Sequence, residues 1–241
     1  MPDITNAEAI KAWSKFPQEL LEQFGDEGDF ARQHLLNPAL FTFLGDVKGK
    51  TILDAGCGQG YLARLLARKG AIVTGVEPAD NSYLYASQRE QAERLGITYI
   101  QADLSSLDTF QGIFDHVIAN MVFMDIPDYQ AAIHNCIASL KSGGRLIFSI
   151  LHPCFEEPGS EWLKKGYVEV REYFQERALD QNISHFFHRP LSAYINLVIQ
   201  EGCNIQSMIE PQLDAEVAQR YSNDRDVHVP SFLVIEAVKH V

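Results

Sequence analysis

Residues 53–70 read "LDAGCGQGYLARLLARKG", with three glycines, Gly56, Gly58 and Gly60, at alternate positions between an apolar run and a helix-like stretch. A chain that excludes side chains from a strand-to-helix turn either bends very sharply there or lays bare backbone against something else. Asp54 stands two residues before the first glycine. The pattern around this turn repeats. "TILDA" (51–55) is expected as a strand, 61–69 as a helix closed by Gly70, and 71–77 as a second strand. Residues 80–95 read as a helix closed by Gly96, 97–103 as a third strand and 114–120 as a fourth. A helix over 128–141, ended by "SGG", then leads to a fifth strand at 145–151. Strand, short loop, helix and glycine in this order imply right-handed crossovers and a parallel sheet covered on both faces.

The flanks read differently. Apolar residues at helical spacing, Ala9, Ile10, Trp13, Phe16, Leu20, Leu21 and Phe24, predict helix before residue 25, with Pro17 starting a second helix. Residues 30–47 read as a helix broken at Asn37-Pro38. Residues 152–189 mix loop signals, charges and aromatics, and an insertion of that length is often a lid. Its Trp162, Tyr167, Tyr173, Phe174, Phe186 and Phe187 are candidates to line an acceptor pocket. A helix begins at Pro190, and "CNIQSMIE" and "SFLVIEAV" are the last two strands. The expected organisation is N-terminal helices at 1–44, a core at 45–151 and 190–241, and a lid insertion at 152–189.

Composition removes whole classes of partner. The formal net charge is −12, from 32 acidic and 20 basic residues, and no Lys/Arg block occurs. Polyanion binding needs a basic stripe, so neither nucleic acid nor an anionic membrane surface is expected as a partner. Four cysteines, Cys57, Cys136, Cys154 and Cys203, lack metal spacing and read as free thiols in a reduced, cytoplasmic setting. No metal site is expected. The N-terminus lacks the basic and apolar regions of a signal peptide, and no apolar run approaches a membrane span.

The turn at 54–60 sits where open parallel sheets bind ligands, beyond the carboxyl end of a strand and at a helix N-terminus. A Walker loop would need Gly-Lys-Ser/Thr, which is absent. A dinucleotide fingerprint would place its third glycine at Tyr61, one residue after Gly60. The pattern is Asp-x-Gly-x-Gly-x-Gly.

"ILDAGCGQG" resembles the signature of class I S-adenosylmethionine-dependent methyltransferases, over roughly residues 45–151. The resemblance implies a Rossmann-like, doubly wound α/β fold: a mostly parallel seven-stranded sheet with its last strand antiparallel and helices on both faces. It implies S-adenosylmethionine as cofactor and S-adenosylhomocysteine as product. It puts Gly56, Cys57, Gly58 and Gly60 against the methionine portion, with Asp54 ordering the loop. Glu77, beside Pro78, then binds the ribose hydroxyls; Asp103 and Leu104 hold the adenine; Asn120 and Met121 open onto the active site. In related enzymes N-terminal helices cover the cofactor, which makes Arg32 a candidate partner of the methionine carboxylate. A ligand of this kind has no phosphate, so no lysine is needed in the loop.

Methyl transfer from a sulfonium needs alignment of the acceptor more than activation of the donor. His152, immediately after the fifth strand, is the candidate general base. His188, three residues after His185, is a second candidate for the catalytic pocket. "NMVF" at 120–123 lacks the prolines of the Asn/Asp-Pro-Pro-aromatic run found in enzymes that methylate amino groups of DNA bases or glutamine. The expected acceptor is therefore a small molecule, and the expected assembly a monomer or homodimer. Two other readings stay open: an NAD(P)-dependent oxidoreductase, and a methyltransferase-fold protein that binds without catalysis.

Overall fold

Thr5 starts the first helix among the described residues, α1 (Asn6–Trp13), with a capping box: its hydroxyl accepts from the Glu8 amide and the Glu8 carboxylate accepts from the Thr5 amide. The computed structural model describes residues 4–107, 110–156, 160–180 and 185–241. Pro17, at the N-cap, opens α2 (Gln18–Gln23). The expected break at Asn37-Pro38 is instead a π-turn, Arg32–Leu36, running straight into α3 (Asn37–Leu44). The Asn37 amide reaches back to the Arg32 carbonyl. Pro38 has no N–H to give, and in a regular helix its ring would strike the carbonyl four residues back; the wider turn accommodates it.

Beyond α3 the chain alternates as its pattern requires: β1 (Thr51–Ala55), α4 (Tyr61–Arg68), β2 (Ile72–Val76), α5 (Asp80–Glu93), β3 (Thr98–Ile100), β4 (Phe114–Asn120), α6 (Tyr129–Ser139) and β5 (Leu140–Leu151). The insertion contributes α7 (Ser160–Lys165) and a hairpin of β6 (Arg177–Asp180) and β7 (His185–His188). Then come α8 (Leu191–Gln200), β8 (Cys203–Ile209), α9 (Ala215–Tyr221), α10 (Arg225–His228) and β9 (Phe232–Lys239).

Seven strands form one sheet in the order β3-β2-β1-β4-β5-β9-β8. All neighbours from β3 to β5 are parallel, while the last strand, β9, runs antiparallel to both β5 and β8. Strand residues alternate between two apolar layers. Leu53, Val117, Ala119, Leu146 and Phe148 pack on the side of α6 and α8. Ile52, Ile118, Ile147 and Val234 pack on the side of α3 and α4. Burial on both faces is what a parallel sheet demands of its strands.

Three local expectations need correction. The third strand is short, because Asp103 turns the chain into a single 3₁₀ turn, Leu104–Ser106. The sixth helix stops at Ser139, and "KSGG" belongs to an extended, bulged start of β5. Gly143, at φ 71°, lets the chain bulge, and the Lys239 ammonium takes the carbonyls of Ile137, Ala138 and Leu140 at the helix end. Helices α9 and α10 fill a segment from which sequence reading offered only flanking strands. Asp214 caps α9 by accepting from the Glu216 and Val217 amides. Among the described residues no helix is long and apolar enough to cross a membrane.

Candidate active site

The strand order reverses between β1 and β4, so the crossovers leave these carboxyl ends in opposite directions and open a crevice. A cavity of about 1110 Å³, its open mouth included, lies there. The glycine turn forms one wall with Asp54, Gly56, Cys57 and Gly58; the β2 end adds Glu77 and Pro78; the β3 end adds Asp103 and Leu104; the β4 end adds Asn120 and Met121. The N-terminal segment closes the opposite side with Asn6, Ile10, Trp13, Phe16, Phe24 and Arg32.

Each sequence-predicted side chain has a defined environment. Glu77 is buried and accepts from the Gly58 amide at 2.9 Å and the Ala79 amide at 2.8 Å. Burial outweighs these bonds and pushes its carboxyl up to about 7. Asp54 is also buried, and its Oδ2 has no hydrogen-bond partner among the described residues; burial and, after it, the nearby Glu77 charge push it up to about 7. Asp103 accepts from the Ser105 amide at 2.9 Å and from the Asn6 side-chain amide at 3.1 Å. Arg32 pairs with Asp29 at 2.7 Å and sits 4.7 Å from the centre of the Phe24 ring.

Two glycines answer to different demands. A Cβ on Gly56, whose φ is 70°, would lie 2.6 Å from a Val122 methyl carbon. Gly60 does not line the cavity. At φ 81° it starts α4, and a Cβ would collide with the Tyr99 hydroxyl.

The cavity floor is held by a polar chain that sequence reading did not find. The Tyr61 hydroxyl donates to Asn37 at 3.1 Å and accepts from Asn120 at 2.7 Å, and the Ser149 hydroxyl donates to Asn120 at 2.7 Å. Ser149 also accepts from the Met121 amide, which fixes Met121 at φ 62°. A left-handed non-glycine residue persists only where its surroundings hold it, and such residues concentrate at functional sites. Asn6 was missed as well. It bonds Asp103, Ser105 and the Asp128 amide, tying α1 across the strand ends, yet nothing local marks it apart from other polar residues at a helix start.

The insertion is placed elsewhere. No described residue of 152–189 lines this cavity. His152 is buried, with Nε2 2.9 Å from a Glu210 carboxylate oxygen and Nδ1 accepting from the Cys154 amide. His188 is buried between Glu156, at 2.6 Å, and the Tyr173 carbonyl, at 2.8 Å. Burial pulls its pKa down, but these two acceptors outweigh burial and raise it above the usual histidine value. The side chain of His185 lies outside the described residues. Trp162 lines a separate cavity with Asp224 and Arg225, Phe187 is buried, and Phe174 is 87% exposed. Among the described residues no group of His, Cys, Asp and Glu is arranged to hold a metal.

S-adenosylmethionine presents an ammonium, a carboxylate, two ribose hydroxyls and an adenine. The donor set fits it: among the described residues there is a buried, unpartnered Asp54 oxygen for a cation, there are acids at two separate strand ends, and no basic cluster suited to phosphates lines the cavity.

A family profile described as "Methyltransferase domain" matches residues 53–148. The ubiquinone biosynthesis O-methyltransferase of Coxiella burnetii is 33% identical over 180 residues, covering 70% of this chain and 77% of that protein. An S-adenosylmethionine-dependent methyltransferase from Mesorhizobium loti superposes with a TM-score of 0.75 at 25% identity, over 89% of this chain and all of that one. The Synechocystis magnesium protoporphyrin IX methyltransferase, solved with S-adenosylmethionine bound, is 17% identical with a TM-score of 0.63 over 99% of each chain; that similarity concerns fold alone.

Proposed function

We propose the acceptor chemistry of this chain, which belongs to the class I S-adenosylmethionine-dependent methyltransferase family and is an enzyme of class EC 2.1.1: the methyl group passes to a hydroxyl oxygen on a small, largely apolar molecule. One observation carries the reading. The cavity that holds the strand-end acids also carries Ile10, Trp13, Phe16, Leu21, Phe24 and Met121 in its wall, an apolar surface that favours a ring with few polar groups. The O-methyltransferase activity in the name of the Coxiella burnetii relative supports an oxygen acceptor.

When bound, S-adenosylmethionine supplies an activated methyl group on a sulfonium. The residues of this chain bind and orient it. Asp54, Gly56, Cys57 and Gly58 receive the methionine end, with Arg32 as the counter-charge for its carboxylate. Glu77, with Pro78, takes the ribose hydroxyls, and Asp103 with Leu104 the base. Asn120 and Met121 form the floor below the reacting carbon. Residues 4–44 cover the site, supported by the reach of Asn6 to Asp103 across the cavity. Gly60 serves the turn by admitting Tyr99. His152 and His188 hold the insertion in place, since all four ring nitrogens are engaged away from the cavity.

The test has two stages. S-adenosylmethionine should raise the melting temperature, whereas NADH should not; a ligand at a hundred times its dissociation constant adds about 2.7 kcal/mol. Incubation with a panel of phenols, catechols and aliphatic alcohols should then yield S-adenosylhomocysteine and a methyl ether. Methylation confined to amines or thiols would overturn the oxygen assignment.

A further inference from the structure

Asp125 lines the cavity at the end of a 3₁₀ turn, Phe123–Asp125, just past the β4 exit. Glu77 and Asp103 are tied down by hydrogen bonds; the Asp125 carboxylate takes none from any described residue. Its place is set from behind. Arg189, fully buried at the end of the hairpin, donates to the carbonyls of Phe123 at 3.1 Å, Ile126 at 2.8 Å and Pro127 at 3.1 Å. The turn is therefore clamped on both sides of Asp125 by a group from the insertion, while the acid faces the cavity among Met121, Val122 and Ile126.

We infer that Asp125 is the proton acceptor for the hydroxyl of the methyl acceptor, a catalytic residue held in place by Arg189; the inference rests on the oxygen-methylation reading above. The hydroxyl oxygen forms a bond to the methyl carbon, and the carbon–sulfur bond breaks with its electron pair left on sulfur. The hydroxyl proton passes to an Asp125 carboxylate oxygen and from there to water. The surrounding charges suit this task. Burial raises the Asp125 carboxyl well above the ordinary range, with Arg32 of the N-terminal cover pulling it down, Glu77 of the β2 end pushing it up and Arg189 pulling it down. A sulfonium entering the same cavity favours the ionised acid, so the base forms when the donor is in place.

Calorimetry of S-adenosylmethionine and S-adenosylhomocysteine binding, in buffers of different ionisation enthalpy, counts the protons released and needs no acceptor. The sulfonium ligand should release more protons than the neutral thioether. That difference should vanish in Asp125→Asn, with cofactor affinity kept within about threefold. An equal difference in both proteins overturns the inference. Failure of wild-type protein to bind either ligand overturns the methyl-transfer reading itself, a distinct result. With a catechol that wild-type protein methylates, turnover in Asp125→Asn should fall about 10²- to 10⁴-fold, and Asp125→Glu should recover part of it with a shifted pH profile. Unchanged turnover in folded Asp125→Asn overturns the proposal. Should melting curves show that variant unfolded, carbon-13 titration of wild-type aspartate carboxyls decides: one midpoint should fall with S-adenosylmethionine and not with S-adenosylhomocysteine, and no such carboxyl overturns it.

Discussion

The glycine turn and the insertion both carry residues of the kinds that do chemistry, and they use them in opposite ways. At the turn, acids sit where parallel strands end, and backbone amides pin Glu77 while one Asp54 oxygen has no partner among the described residues. In the insertion, His188 and Arg189 are spent on carbonyls and on Glu156, and neither lines the cavity. A residue type becomes a functional group only where topology leaves it something to bind. The insertion acts on the site indirectly, by gripping the turn that carries Asp125.

The comparison breaks first at Arg189. Arg189→Ala leaves three carbonyls, one buried and two part-buried, without their donor and should cost about 3–5 kcal/mol, since hydrogen bonds to charged groups are worth about 1.5–3 kcal/mol each and are partly replaced by water. The melting temperature should drop by about 6–20 °C. An unchanged melting temperature would mean the insertion grips nothing.

Glu77→Ala attacks the other region. It removes the carboxylate that orders the Gly58 and Ala79 amides and, in our reading, holds the ribose. Cofactor binding should weaken by about 2–4 kcal/mol, seen as a rise in Kd by titration calorimetry. An unaltered Kd would remove Glu77 from the site.

The pH dependence of the ligand-free protein sharpens the contrast. Burial pushes the Glu77 carboxyl up to about 7 in the folded chain, above the ordinary carboxylate range, so the folded state binds the extra proton. The associated stability is fully present below the unfolded value and is lost as pH rises through about 7. Between pH 6 and pH 8 this group should remove about 1 kcal/mol. Denaturant titrations at the two pH values should show a smaller change for Glu77→Gln than for wild-type protein; an equal change would assign the dependence to other groups.

The smallest effect is expected at His152. Its Glu210 and Cys154 partners make it part of the insertion's footing, so His152→Ala should leave kcat within about threefold while lowering stability by about 1 kcal/mol. A fall in kcat of about 10²-fold would instead return it to the chemistry as a general base.

Much of the fold was legible because its rules are local. Near-continuous apolar runs mark β1, β4 and the second half of β5, and glycines mark where α4 and α5 stop. The place of Asp54, Glu77 and Asp103 on the cavity wall was legible for the same reason, since a strand end is a local event. The misreadings have local causes too: Gly143 and Gly144 look like a turn but permit a bulge, and the Asp214 cap before α9 was present and went unread. Asn6 was hidden differently, because 97 residues separate it from Asp103.

The chain's own order of residues determined the doubly wound sheet, the bare-backbone turn and the acids around it, because periodicity and strand ends act over a few residues at a time. Only the tertiary structure decided that Asp125 faces the cavity while Arg189, His152 and His188 turn away from it. Those directions come from packing between segments distant in sequence, where burial forces each polar group to the partner that happens to lie within reach.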